Sequence, residues 1–146
     1  MSSLPAASHP GMPATFLDLE RVPEGYKGEI IAGVLYTQPR PRPAHQDALG
    51  TLFGDIDGPF RRGKGGPGGW WILVEPGIAH PEAAESSPDM AGWRRERTAQ
   101  LPPGPVEVVP DWICESLSPS NRRYDLLVKK RFYAKIGVQH LRRDGA

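Results

Sequence analysis

Asp-Trp-Ile-Cys-Glu-Ser-Leu-Ser-Pro-Ser-Asn, positions 111–121, joins the clearest strand of this chain to its clearest helix. The run from Asp111 to Leu117 is short, compact and apolar in the manner of a core strand. Ser118, Pro119, Ser120 and Asn121 supply a turn and a helix cap, because short polar side chains can bond the open amides of a first turn. The spacing predicts a helix over Arg122 to Ile136, with Leu126, Phe132, Tyr133 and Ile136 as an apolar stripe and Gly137 as its stop.

Each of these elements carries one charge where its pattern calls for an apolar side chain. Strand side chains alternate between faces, so Glu115 points the same way as Ile113 and Leu117. A carboxylate on that face costs free energy unless it is paired, protonated or bound to a metal. On the helix, at about 100° per residue, Lys129 falls between the Leu126/Tyr133 pair and the Phe132/Ile136 pair. It either snorkels out to water or reaches a buried carboxylate. Lys130, Arg131 and Lys135 fall elsewhere on the wheel, as solvated cations should.

Upstream, Trp70 to Glu75 is an apolar run ended by Pro76, and Met90 to Trp93 suits a second strand. Pro76 to Ser87 reads as irregular. Asp89 follows Pro88 at the start of the second strand and can project toward Glu115 if the two strands are neighbours. Two carboxylates on adjacent strands make an oxygen site suited to magnesium, which takes hard ligands and keeps several waters. A lysine beside them could orient or activate an attacking water while a metal stabilises charge on a phosphate.

Towards the N-terminus, Glu29 to Thr37 is rich in β-branched and aromatic residues, with Gly33 where a hairpin would turn. Gln38 to Pro43 alternates proline with polar and basic residues and reads as a loop. A helix should begin near Ala44, where Ala48, Leu49, Leu52 and Phe53 recur at helical spacing, and should end by Gly58-Pro59. Arg61 to Gly69 is glycine-rich and basic, yet it lacks the Gly-Lys-Ser/Thr ending and following helix of a phosphate-binding P-loop. Met1 to Thr15 shows no periodicity and is expected to be a flexible tail, leaving residues 16–146 as one domain.

The composition narrows the function classes. Eighteen basic against seventeen acidic residues leave no global field to draw the protein onto a polyanion, so any nucleic-acid contact must be local. Cys114 is the single cysteine, which excludes an intramolecular disulfide and makes zinc a poor candidate. No apolar run approaches the roughly 18 residues of a membrane span, and nothing at the N-terminus reads as a signal peptide, so the expected compartment is the cytoplasm. The 17 glycines and 17 prolines point to many loops around a modest core.

Three stretches make the chain resemble a known family: Gly-Gly-Trp-Trp-Ile-Leu-Val-Glu-Pro (68–76), Pro-Asp-Met-Ala-Gly-Trp-Arg-Arg-Glu-Arg (88–97) and Cys-Glu-Ser-Leu-Ser-Pro-Ser (114–120). With Glu29 and Gly33, Ala44-His45-Gln46, and the series Asp125, Lys129, Tyr133, Ala134, Gly137 and Val138, they resemble the Uma-type family described as putative restriction endonucleases. The resemblance runs from about Phe16 to Leu141 and implies the PD-(D/E)XK nuclease fold, α+β, with a mixed β-sheet flanked by helices.

The resemblance further implies that Asp89 and Glu115 are metal ligands for Mg2+ or Mn2+, with Glu75 as a further acidic contributor. The lysine that usually follows the glutamate by two residues is replaced here by Leu117, so its role would pass to Lys129. Glu29, His45 and Tyr133 would support the site, with a structural role for His45 equally open. The implied activity is metal-dependent hydrolysis of DNA, with Arg40, Arg42, Arg61, Arg62 and Lys64 either contacting phosphates or serving as solvated loop charges. The alternative is a catalytically silent nuclease fold that binds nucleic acid or protein. The family continues after Gly-Val-x-His-Leu into further strands, whereas this chain reads Gln139-His140-Leu141-Arg142-Arg143-Asp144-Gly145-Ala146. That departure predicts a missing core strand and an uncovered sheet edge, which favours a homodimer.

Overall fold

A computed structural model of the chain describes residues 4–6, 12–40, 42–81, 83–117 and 122–145. The turn expected at Ser118 to Asn121 lies outside them. In chain order the elements are β1 (Leu4–Ala6), α1 (Phe16–Glu20), β2 (Tyr26–Ile31), β3 (Val34–Pro39), α2 (Pro43–Ile56), β4 (Trp70–Val74), β5 (Ile78–His80), β6 (Ala83–Ser86), β7 (Met90–Arg94), β8 (Trp112–Leu117), α3 (Arg122–Ile136) and β9 (His140–Gly145).

The strands form two sheets, one ordered β1-β3-β2-β6-β5 and the other β4-β7-β8-β9. β2 and β3 make the expected hairpin, with Ile31 opposite Val34. Ala32 and Gly33 both take positive φ, 51° and 81°. A two-residue turn of that hand matches the twist of the flanking strands, and Gly33 adopts it without strain.

Alternation divides the β4-β7-β8 sheet into two faces. On one face Ile72, Met90 and Cys114 are buried under Leu49, Leu52, Phe53 and Ile56 of α2. On the other, Ala91, Trp93 and Ile113 join Ile31 and Ile78 of the first sheet, Val106, and Phe132 and Tyr133 of α3 in the main core. Trp93 is fully buried, and its indole N–H donates to the Val108 carbonyl at 2.7 Å, so its polar edge is satisfied. Between α2 and β4, the chain Asp57–Arg61 makes one turn of π-helix, in which the Arg62 amide donates to the Asp57 carbonyl at 3.0 Å. Pro59 has no amide hydrogen to continue the tighter ladder.

Three sequence expectations need correction. The stretch 76–87, read as irregular, holds the hairpin β5-β6, with Ile78 opposite Ser86 and His80 opposite Ala83. Gln38 and Pro39, read as loop, complete β3, where Pro39 pairs with Tyr26 at the strand's end. Within the stretch expected to be a flexible tail, Leu4–Ala6 form β1, which pairs with β3, and Ala14 is buried beside Ile30 and Leu35. The strand expected to be missing after α3 is present as β9, parallel to β8 over six register pairs from Trp112↔His140 to Leu117↔Gly145. The pairing uses backbone groups, so Arg142, Arg143 and Asp144 do not prevent it. The edge of β8 is therefore covered.

Candidate active site

The main core contains a pocket of charge. Glu29, Lys27, Asp89, Glu115 and Lys129 are all buried, none more than 8% exposed. They arrive from four elements, and each arrival follows from local periodicity. Met90 stands opposite Cys114 and Ala91 opposite Ile113, so one step further along the antiparallel ladder Asp89 meets Glu115. Directly opposed residues share a face. Lys129 lies one turn before Phe132 and Tyr133 on α3 and enters the same core. Lys27 and Glu29 sit at alternate positions of β2 ahead of the buried Ile31 and so point inward with it.

The Lys129 Nζ lies 2.8 Å from Glu29 Oε1, and 3.4 Å from Glu115 Oε1 and 3.5 Å from Glu115 Oε2. The Tyr133 hydroxyl donates to Glu115 Oε1 at 3.0 Å, and the Ser87 amide donates to Glu29 Oε2 at 2.8 Å. The His45 Nε2 from the first turn of α2 stands 3.8 Å from Asp89 Oδ1. Lys27 Nζ is 3.8 Å from Glu75 Oε1, at the end of β4, where Glu75 takes a positive φ of 47°. The Glu75 amide donates to the Asp89 carbonyl at 2.9 Å, which ties the two strand ends together.

The two glutamates respond oppositely to this environment. Burial pushes the Glu29 carboxyl up, but Lys129, Lys27 and the hydrogen bonds from Lys129 and Ser87 more than compensate, and its pKa is lowered. Glu115 is pushed up to about 7 by burial, opposed by Lys129 and reinforced by the negative charges of Asp89 and Glu29. Tyr133 is held well above its usual value by burial and by Glu115 and Glu29, so its hydroxyl keeps its proton and acts as a donor.

The structure thus brings together Asp89, Glu115, Lys129, Glu29, His45 and Tyr133. Glu75 belongs to the periphery and meets the cluster through Lys27. Lys27 is a residue that sequence reasoning missed, although the alternation Lys27, Glu29, Ile31 was there to find it. Of the basic residues expected near the site, Arg40 lines an open cleft of about 490 Å³ together with Lys27, Glu75, Glu85 and Ser87. Arg61, Arg62 and Lys64 do not approach the carboxylates. Phe60, next to Arg61, packs edge-on against Trp70, which pairs with Arg94 at the opposite end of β4 and β7 from Glu75 and Asp89.

Among the described residues no group of three or more His, Cys, Asp or Glu side chains is arranged to hold an ion. The donors present are the two facing carboxylates of Asp89 and Glu115. Such a pair fits magnesium, which is usually bound by one or two carboxylates with water and substrate oxygens rather than by an all-protein cage. Burial is the main cause of the raised Glu115 pKa and the Asp89 charge adds to it; a cation between the two would relieve that added repulsion.

The fold is α+β, with two sheets and flanking helices, and buried carboxylates and a lysine meet at the strand ends. A solved structure from Anabaena variabilis ATCC 29413, described as a putative nuclease belonging to DUF820, has the same fold, with a TM-score of 0.70 at 19% identity over 91% of this chain and 74% of that one. The sequence profile of the Uma2 family, described as putative restriction endonuclease, matches residues 13–141, and the chain belongs to that family. Family and fold together support a nuclease function. No curated protein matches the chain. Among the described residues no helix is long and apolar enough to cross a membrane.

Proposed function

We propose that this protein is an endonuclease that hydrolyses DNA phosphodiester bonds with Mg2+ or Mn2+ held by Asp89 and Glu115. The observation that carries the reading is the lysine: Lys129 places its ammonium within 3.5 Å of the Glu115 carboxylate in a buried site. An ion on the two carboxylates would supply positive charge to a phosphate and acidify a water.

The chain's own residues then divide the remaining work. Lys129 donates hydrogen bonds toward the nucleophilic water and stabilises negative charge developing on the phosphate. Glu29 holds the lysine in place through the 2.8 Å ion pair. Tyr133 fixes the Glu115 carboxylate by donating to Oε1. The cleft that contains Lys27 and Arg40 offers the substrate a way in beside the cluster.

One observation favours a second reading. Lys129 is nearest to Glu29, not to Glu115, so these two charges compensate one another as they would in a purely structural network. A catalytically silent nuclease fold that binds nucleic acid or protein would look the same in this respect. Incubating supercoiled plasmid with wild-type protein and Mg2+ or Mn2+ separates the two readings. Nicking abolished by EDTA supports the enzyme, whereas intact plasmid with every metal supports the silent fold.

A further inference from the structure

Two lysines are buried among the described residues, Lys27 and Lys129, and they are satisfied differently. Lys129 meets Glu29 at 2.8 Å and Glu115 at 3.4 Å. The Lys27 side chain is 9% exposed, yet its closest carboxylate oxygen among the described residues is Glu75 Oε1 at 3.8 Å, beyond hydrogen-bond length. No described residue accepts a hydrogen bond from its ammonium. An ammonium carries three donors, and burying it costs free energy while they go unmatched.

Lys27 stands where the open cleft meets the cluster. Lys27, Glu75 and Ser87 line the cleft, while the Ser87 amide donates to Glu29 Oε2 at 2.8 Å and the Glu75 amide to the Asp89 carbonyl at 2.9 Å. Burial raises the carboxyl pKa of Glu29 and of Glu115, and Lys129 and Lys27 both oppose it, so the charge of Lys27 is felt at each carboxylate. Glu75, which faces the ammonium, has a side chain 35% exposed and a φ of 47°, a left-handed conformation uncommon for a residue with a Cβ. Backbone held in such a region gathers at sites that bind ligands.

An ammonium is a compact point charge, and it binds a phosphate oxygen without the planar match that an arginine fork requires. At 3.8 Å Glu75 has no hydrogen bond to Lys27 to give up, and its exposure leaves it room to turn into water. Glu20, Glu24 and Glu85 also line the cleft, with Arg40 as its other cation, so the local field does not draw a small anion in. A phosphate carried by a larger substrate, held by its other contacts, still reaches the ammonium. We propose that Lys27 is a substrate-contacting residue, whose ammonium exchanges Glu75 for an oxygen of the DNA phosphate that the cleft admits to the cluster. The identity of the substrate rests on the nuclease reading.

Anisotropy of a fluorescent DNA duplex titrated with the full chain in EDTA, over a range of salt, tests the contact. Lys27→Met should bind the duplex roughly three- to tenfold more weakly at low salt, with the slope of log Kd against log salt reduced by about one, as the loss of one phosphate contact requires. A lysine that only compensates buried charge would lower thermal stability and leave that slope alone. Glu75→Gln should tighten binding by about two- to fivefold. It should do so more than Glu24→Gln, because Glu24 lines the same cleft outside ion-pair distance of Lys27. Folded Lys27→Met with wild-type affinity and slope would overturn the contact. Equal gains from Glu75→Gln and Glu24→Gln would overturn it too, and that comparison decides if Lys27→Met does not fold. Wild-type protein that binds no duplex at any salt would also overturn it. If wild-type protein nicks plasmid while Lys27→Met binds normally, the contact fails and the nuclease reading stands. If the predicted slope change is seen but no metal supports nicking, the nuclease reading fails and the contact stands.

Discussion

Lys129 on α3 and Glu29 on β2 form the shortest ion pair of the buried cluster, 2.8 Å between Nζ and Oε1, and it links the helix to the sheet that does not carry Asp89 or Glu115. Removing one partner leaves a charge buried without compensation, which is far costlier than removing both. Lys129→Met should therefore destabilise the protein by about 3–5 kcal/mol in urea unfolding. Adding Glu29→Gln to Lys129→Met should recover part of that loss. A double variant as unstable as the sum of the two single variants would show that the pair is not coupled.

The pKa of Glu115 gives stability a definite sign with pH. Because the carboxyl is raised from 4.5 to about 7 in the folded protein, its contribution is fully present below pH 4.5 and is lost as the pH rises towards and through 7. Glu29 acts the other way, since its pKa is lowered, and its contribution is lost as the pH falls below 4.5. Metal-free protein should lose stability between about pH 5 and pH 7, and Glu115→Gln should flatten that slope. A metal-free urea midpoint that rises over this interval in wild type would contradict the assignment.

Adding metal should reverse this trend. An ion that binds only the folded state stabilises it by about 2.7 kcal/mol at a hundred times its Kd. Magnesium or manganese should raise the melting temperature of wild type, more at pH 8 than at pH 6, because the ion must displace the Glu115 proton. Asp89→Asn and Glu115→Gln should abolish the increase, and Glu75→Gln should retain most of it. An equal increase in all four proteins would place the ion elsewhere.

Two glycine classes should part company. Gly50 and Gly54 lie within α2 on its exposed side, with open space where a Cβ would go. Alanine at either position should stabilise the fold by about 0.5–1 kcal/mol. At Gly66 a Cβ would meet the Pro59 Cα and carbonyl oxygen at 2.8 Å, and backbone does not move aside cheaply. Gly66→Ala should cost about 1–3 kcal/mol, as overpacking does. Thermal unfolding of the three variants ranks them.

How far the sequence reveals this molecule depends on where its information lies. Glu115 and Lys129 stand out because each breaks an apolar pattern set by its neighbours, and periodicity locates them without any contact map. The hairpin of β2 and β3, the extent of α2 and the boundaries of α3 follow in the same way. β5 and β6 are hidden because Pro76, Gly77 and Pro81 read as loop, while the pairing of Ile78 with Ser86 is set by packing against the core. β9 is hidden for a related reason, since Arg-Arg-Asp-Gly has little strand preference and the neighbouring backbone of β8 supplies the order. Periodicity also says nothing about which end of a sheet a loop will reach. It therefore could not separate Arg40, on the cleft, from Arg61, whose neighbour Phe60 packs against Trp70 at the far end of β4.

The most direct test of the account is the rate of plasmid nicking in Mg2+ or Mn2+ by wild type, Asp89→Ala, Glu115→Ala and Lys129→Ala, compared at equal concentrations of folded protein. The account predicts metal-dependent nicking by wild type and a loss of at least about a hundredfold in each variant, the scale expected when charge-stabilising groups leave an active site. Nicking that persists at the wild-type rate in all three folded variants would contradict it.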